Sequence, residues 1–98
     1  MVGFPKPVTF RSKRWLQAVS ALDCVICGKH GPSQSAHVNE DKGMGIKTHD
    51  CWTAALCPEC HSRIDHGKDM TREERRSALQ KAVLLTIAKM AVNNWIRV

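Results

Sequence analysis

The chain has no tyrosine, and only three tryptophans and two phenylalanines stand among its 98 residues. So few rings argue against a stacking platform for single-stranded bases. No apolar run reaches the roughly 18 residues that a membrane span needs. The nearest approach, Ala82 to Val92, has nine apolar residues of eleven and is interrupted by Lys89, so a membrane is not an expected partner. An apolar leader is missing too. Met1 to Arg14 is basic and punctuated by Pro5 and Pro7, which points to a cytoplasmic protein. Acidic residues number nine against 15 Lys and Arg, for a formal charge of +6. That balance suits a polyanionic partner, although charge alone separates few functions.

Ninety-eight residues make one domain with room for one core. A chain this short buries a modest share of its surface and often needs a staple, such as a metal. Five cysteines supply the means. Four form two Cys-x-x-Cys pairs, Cys24/Cys27 and Cys57/Cys60; the fifth, Cys51, reads as a small core residue. An odd count in this spacing, with no secretion signal, favours structural Zn²⁺ over disulfides. Two such turns each present two sulfurs at the angles a tetrahedral site requires. The 29 residues between the pairs leave room for a hairpin. A four-thiolate site has no open position, so its task would be to hold the fold rather than to react.

Hydropathy and caps give the element order. Residues 1–10 read as an extended arm. Ser12 is a good N-cap for a helix over Lys13 to Leu22, with Trp15, Leu16, Val19 and Leu22 at helical spacing. Arg11, Lys13 and Arg14 crowd the start of that helix, where the macrodipole disfavours cations, so phosphate contact is one reading and plain solvation the other. Gly28 can take the positive φ that a cysteine knuckle needs. Ser35 to Asn39 and Trp52 to Leu56 are short strand signals. Pro58 suits the first turn of a second helix and Gly67 its C′ position. Thr71-x-x-Glu74 is a capping box that opens a helix to about Trp95. Its apolar residues run all round, as in a helix buried on several sides, with surface left over for a second copy of the chain, a homodimer. The fold class expected is α+β: knuckle, hairpin, then a helix carrying the second cysteine pair. That order describes a treble-clef ββα unit on a four-cysteine zinc, flanked by an N-terminal helix and a long C-terminal helix.

The residues beside this frame carry the chemistry. His61 and Asp65 lie one turn apart on one helix face and can share a divalent cation. His37, on the preceding strand, can face that pocket and take a proton from water. Singly, each also reads as an ordinary structural or surface residue; together they suggest phosphodiester hydrolysis.

These residues resemble a family. Cys24-x-x-Cys27-Gly28, Ala36-His37 and Leu56-Cys57-x-x-Cys60-His61 are similar to the HNH (His-Me finger, ββα-metal) endonucleases, and in particular to the small phage and prophage forms with a four-cysteine zinc. The similarity spans about Arg11 to Gly67, including Gly43 to Asp50. It implies a single nuclease-like domain over residues 1–98, with the zinc-bound core over 11–67 and the C-terminal helix over 71–96. It implies His37 as the general base, Asp50 as the residue that orients it, and His61 and Asp65 as ligands of a catalytic Mg²⁺ or Mn²⁺. DNA would be the substrate, in phage recombination or DNA processing. Many relatives carry a further ligand where this chain has Ala36; His66, Asn39 and Asp41 are the candidate substitutes. Lys47 and Arg63 join Arg11, Lys13 and Arg14 as candidate phosphate contacts. The rival expectation is a non-catalytic zinc module that binds nucleic acid or protein on the same scaffold.

Overall fold

The computed structural model describes residues 10–38 and 49–96. It is a small α+β arrangement: α1 (Lys13–Ser20), β1 (Gln34–His37), β2 (Thr53–Leu56), α2 (Pro58–His66) and α3 (Arg72–Val92). Most of the arm expected over 1–10 lies outside the described residues, as do Asn39, Asp41 and Lys47 and nearly all of the stretch from Gly43 to Asp50.

The strands pair antiparallel, with Gln34 opposite Leu56 and His37 opposite Thr53. All four residues of β2 are buried, because helices cover both of its faces. Ala54 and Leu56 join Ala36, Ile64, Ala82 and Val83 in one apolar cluster, while Ala55 joins Trp15, Val19 and Met90 in another. Alanines there let the helices approach closely. The outer edge of β2 is closed by specific bonds. Thr86 Oγ1 accepts the Ala55 N–H at 3.0 Å and itself donates to Ala82 O at 2.8 Å. Val25 N–H donates to Ala55 O at 3.0 Å. An exposed strand edge is a liability; here α3 and the first knuckle cover it.

Helix α1 starts as expected, with Ser12 Oγ accepting from Trp15 N at 3.1 Å. It ends at Ser20 rather than Leu22, since Ser33 takes its final carbonyls: Ser33 Oγ donates to Leu22 O and Ser33 N to Ser20 O. The Thr71–Glu74 capping box is present in full.

Helix α3 departs from expectation in two ways. It stops at Val92 because Asn94 adopts φ 65°, a left-handed conformation that asparagine tolerates better than most residues. Trp95 N then donates to Met90 O and Asn94 N to Ala91 O, the paired bonds of a Schellman cap. It is also buried along one stripe only, Ala82, Val83, Thr86 and Met90. Leu84, Leu85 and Val92 point outward, at 67%, 41% and 80% exposure. Gly67 differs as well. Its φ of −61° is ordinary, and glycine is needed because a Cβ would overlap the Arg63 carbonyl oxygen.

No helix among the described residues is long and apolar enough to cross a membrane.

Candidate functional site

The two cysteine pairs meet. Their four sulfurs all lie within 4.8 Å of one another, and Cys27 Sγ is 3.6 Å from Cys57 Sγ. A zinc with bonds of about 2.3 Å sets its sulfurs about 3.8 Å apart, so the cluster fits such an ion and is far too open for disulfides. Local backbone makes each half. In the first, Cys24 N donates to Lys29 O, Gly28 N donates to Cys24 O, and Gly28 sits at φ 76°. In the second, Cys57 caps α2 with its sulfur, accepting from Cys60 N at 3.4 Å.

Charge makes the same argument. Burial raises the Cys24 thiol, but N–H groups of Cys27, Cys57 and Ile26 outweigh it and bring it to about 6. Burial and the neighbouring thiols push Cys60 strongly upward instead. One thiolate forms readily here and a full set of four requires a cation. Four cysteines can therefore hold a metal such as zinc.

At the other end of the hairpin, Asp50 is nearly inaccessible, at 4% exposure. Its Oδ2 accepts from Ser12 N at 2.8 Å, and its Oδ1 lies 3.1 Å from both Arg11 Nη1 and His37 Nε2. Burial acts to raise this carboxyl, yet the Ser12 N–H, His37 and Arg11 together hold it below the ordinary carboxylate value. Facing a carboxylate, His37 Nε2 carries the proton, which leaves Nδ1 as a lone pair. The side chain of His37 is one-third exposed.

His61 is fixed differently. Its Nδ1 lies 2.7 Å from Gln34 Oε1, and its Nε2 lies 3.2 Å from Asp65 Oδ2. An amide oxygen accepts only, so Nδ1 donates to it, and the Nε2 lone pair of a neutral ring then faces a carboxylate. A metal shared by Nε2 and the Asp65 carboxylate would suit this orientation of the ring. A histidine ligand usually gives its other N–H to a second-shell acceptor, which is the part Gln34 plays.

The structure does not put these pairs in one pocket. Side chains alternate along a strand. Gln34 and Ala36 face α2, as the His61 bond and the Ala36–Ile64 cluster show. Ser35 and His37 face α1, as the Ser35–Leu16 and His37–Asp50 bonds show. The expectation that His37 turns toward His61 and Asp65 is therefore corrected: His37 leaves β1 on the α1 face, whereas His61 and Asp65 belong to α2, packed on the other face. His66 is not brought to the pair either, since five residues beyond His61 is well off the shared face. Among the described residues, the four cysteines alone form a metal-binding group of three or more ligands.

Two expected phosphate contacts are already engaged. Arg63 donates twice to Asp69 Oδ2, at 3.1 and 2.8 Å, and Arg11 braces Asp50. Lys13 and Arg14 are exposed, with Arg14 5.7 Å above the Trp95 ring. Cys51 is half-buried beside the Trp15 cluster, as expected. Gln34 and His49 were missed. Strand alternation marks Gln34, because it shares the face of Ala36. His49 Nδ1 accepts from Phe10 N at 2.8 Å, a contact between distant segments with no local signal.

Residues 2–94 match the model of a family described as a protein of unknown function, DUF968. The chain belongs to the DUF968 family. No curated protein and no solved structure matches it. Membership in DUF968 brings no activity with it, so the chemistry rests on the residues above.

Proposed function

We propose that the protein is a zinc-stabilised, metal-dependent DNA endonuclease with an HNH-type, treble-clef ββα core. One observation carries this reading: each histidine is oriented through one ring nitrogen, and the other nitrogen is open in His37 and set against the Asp65 carboxylate in His61. Asp50 holds His37 by Nε2, and Gln34 holds His61 by Nδ1.

In this reading His61 and Asp65 would hold Mg²⁺ or Mn²⁺, an ion that suits sites with few protein ligands. When bound, the ion would neutralise charge building on the phosphate and the departing oxygen. His37 Nδ1 takes a proton from water, and the water oxygen forms a bond to phosphorus. The bond from phosphorus to the 3′ oxygen breaks, and that oxygen leaves with the electron pair and collects a proton from solvent. Asp50 keeps the ring in the useful tautomer and steadies the imidazolium that results. His37 and the His61–Asp65 pair face opposite sides of β1, so this reading requires a rearrangement on binding that brings them to one phosphate; their side chains are open to solvent, at 33%, 29% and 41% exposure.

A second reading has its own observation. Ala36, where many members of the HNH family that it resembles carry a ligand, is 3% exposed and part of the core, which suits a binding module that has kept the scaffold without the chemistry. Supercoiled plasmid with Mg²⁺ or Mn²⁺ separates the two. The nuclease reading expects nicking by wild type and none by His37→Ala of equal zinc content. Absence of cleavage by wild type with either ion would leave the binding module, and equal cleavage by both proteins would sink the reading of His37 as the base.

A further inference from the structure

The few aromatic residues are placed where their number alone gave no hint. Of the four within the described residues, Trp15 is buried, while Phe10, Trp52 and Trp95 are 40%, 40% and 41% exposed. Single exposed rings are commonplace. Phe10 and Trp52 share one neighbourhood. The Phe10 backbone is joined to that of Asp50, whose carboxylate holds His37: Phe10 O accepts from Asp50 N at 2.9 Å. Trp52 follows Asp50 by two residues and meets His49 at 4.7 Å between ring centres. His49 Nδ1 in turn accepts the Phe10 N–H.

The rings are held without being covered. Phe10 meets Trp15 at 5.9 Å with planes 86° apart, and Trp52 meets His49 at 68°. Edge contacts of this kind fix a ring and leave area free to stack. Cations stand with them: Arg11 on Asp50 and Arg14 over Trp95. Rings interleaved with guanidinium groups bind unpaired bases, whose faces are open, together with the phosphates between them. In a continuous duplex those faces are stacked on one another.

We propose that Phe10 and Trp52, with Arg14, bind unpaired bases beside the His37–Asp50 pair, so that the substrate is DNA with a single-stranded segment. This rests on reading the site as one that acts on DNA, and it replaces the expectation that so few rings exclude stacking.

The zinc-loaded full chain is titrated, without divalent cation, into a labelled thymidine oligonucleotide of about sixteen residues and into a duplex of matched length. Single strand binds about tenfold tighter at equal salt and quenches tryptophan fluorescence. Trp52→Ala loses about tenfold of that affinity, as expected for one stacked base. Trp52→Phe keeps most of it, and Arg14→Gln weakens both forms. Zinc content and far-ultraviolet circular dichroism show that each variant is folded. Equal affinity for duplex and single strand, or full affinity in folded Trp52→Ala, overturns the inference. Cleavage is read separately with Mg²⁺ or Mn²⁺, so loss of the nuclease reading with single-strand preference intact is distinguishable from the reverse. Absence of all DNA binding overturns both.

Discussion

The cysteine cluster and the two histidines are arranged around one short hairpin, His61 next to Cys60 on α2 and His37 at the far end, and they use their donors in different ways. At the cysteine end, four soft donors converge and none is left over. His37 commits Nε2 to Asp50 and keeps Nδ1 open, while His61 sets Nδ1 on Gln34 and Nε2 against Asp65, where both side chains are partly open to solvent. A closed set stabilises; a half-open set can react. The comparison separates the residues that hold this fold from those that can serve a substrate.

The largest test removes one cysteine. Structural zinc contributes roughly 10–16 kcal/mol in small zinc domains, as much as the whole net stability of about 5–15 kcal/mol of an ordinary domain. Cys60→Ser, or a strong chelator on wild type, is expected to abolish the cooperative thermal transition and release zinc. A folded Cys60→Ser protein with unchanged zinc would break the comparison at its strong end.

Asp50 comes next, because it is the buried charge beside His37, at the end of the hairpin away from the cysteines. Asp50→Ala strands the Ser12 N–H and the His37 ring and is expected to cost about 3 kcal/mol by urea denaturation. Its folded-state carboxyl is held below the usual value. Its stabilising effect is therefore complete above about pH 4, the unfolded value, and fades as pH falls through the lowered one. The advantage of wild type over Asp50→Asn should shrink on acidification below about pH 4. A constant difference from neutral pH into strong acid would remove the ion-pair account.

The two turn glycines differ in kind, so their substitutions should differ in size. Gly67→Ala drives a Cβ into the Arg63 carbonyl and is expected to cost about 2–3 kcal/mol. Gly28→Ala has open space but a left-handed φ, and should cost about 1–2 kcal/mol. Thermal midpoints in the opposite order would contradict both explanations.

The smallest stability effect belongs to His61→Ala. Its ion pair with Asp65 is partly exposed, and such pairs contribute about 0–1 kcal/mol. The melting curve should barely move while cleavage is lost. A large drop in stability would move His61 to the structural side of the comparison.

Much of the frame was legible because it depends on local chemistry. Cysteine spacing, Ser12, Thr71 with Glu74, and Gly28 each act within a few residues of themselves. The errors came from relations across the chain. The apolar residues of α3 looked like a helix buried all round, yet the core is too small to cover more than the Ala82–Met90 stripe. The end of α3 was set by Asn94, whose left-handed conformation a helix-period reading passes over. His37 was placed with His61 by sequence convergence, although strand alternation from buried Ala36 already turns it the other way. Phe10 and Trp52 could be counted but not located, since Phe10 is brought to Asp50 by bonds between segments far apart in sequence.

The central claim is that His61 and Asp65 hold a second divalent cation, apart from the one the four cysteines can hold. Paramagnetic Mn²⁺ added to zinc-loaded protein tests it most directly, with histidine ring resonances followed by NMR. The account predicts that His61 broadens first, at low Mn²⁺, and that Asp65→Ala abolishes the effect while zinc stays bound. Broadening spread evenly over exposed acidic residues, with His61 unaffected, would contradict it.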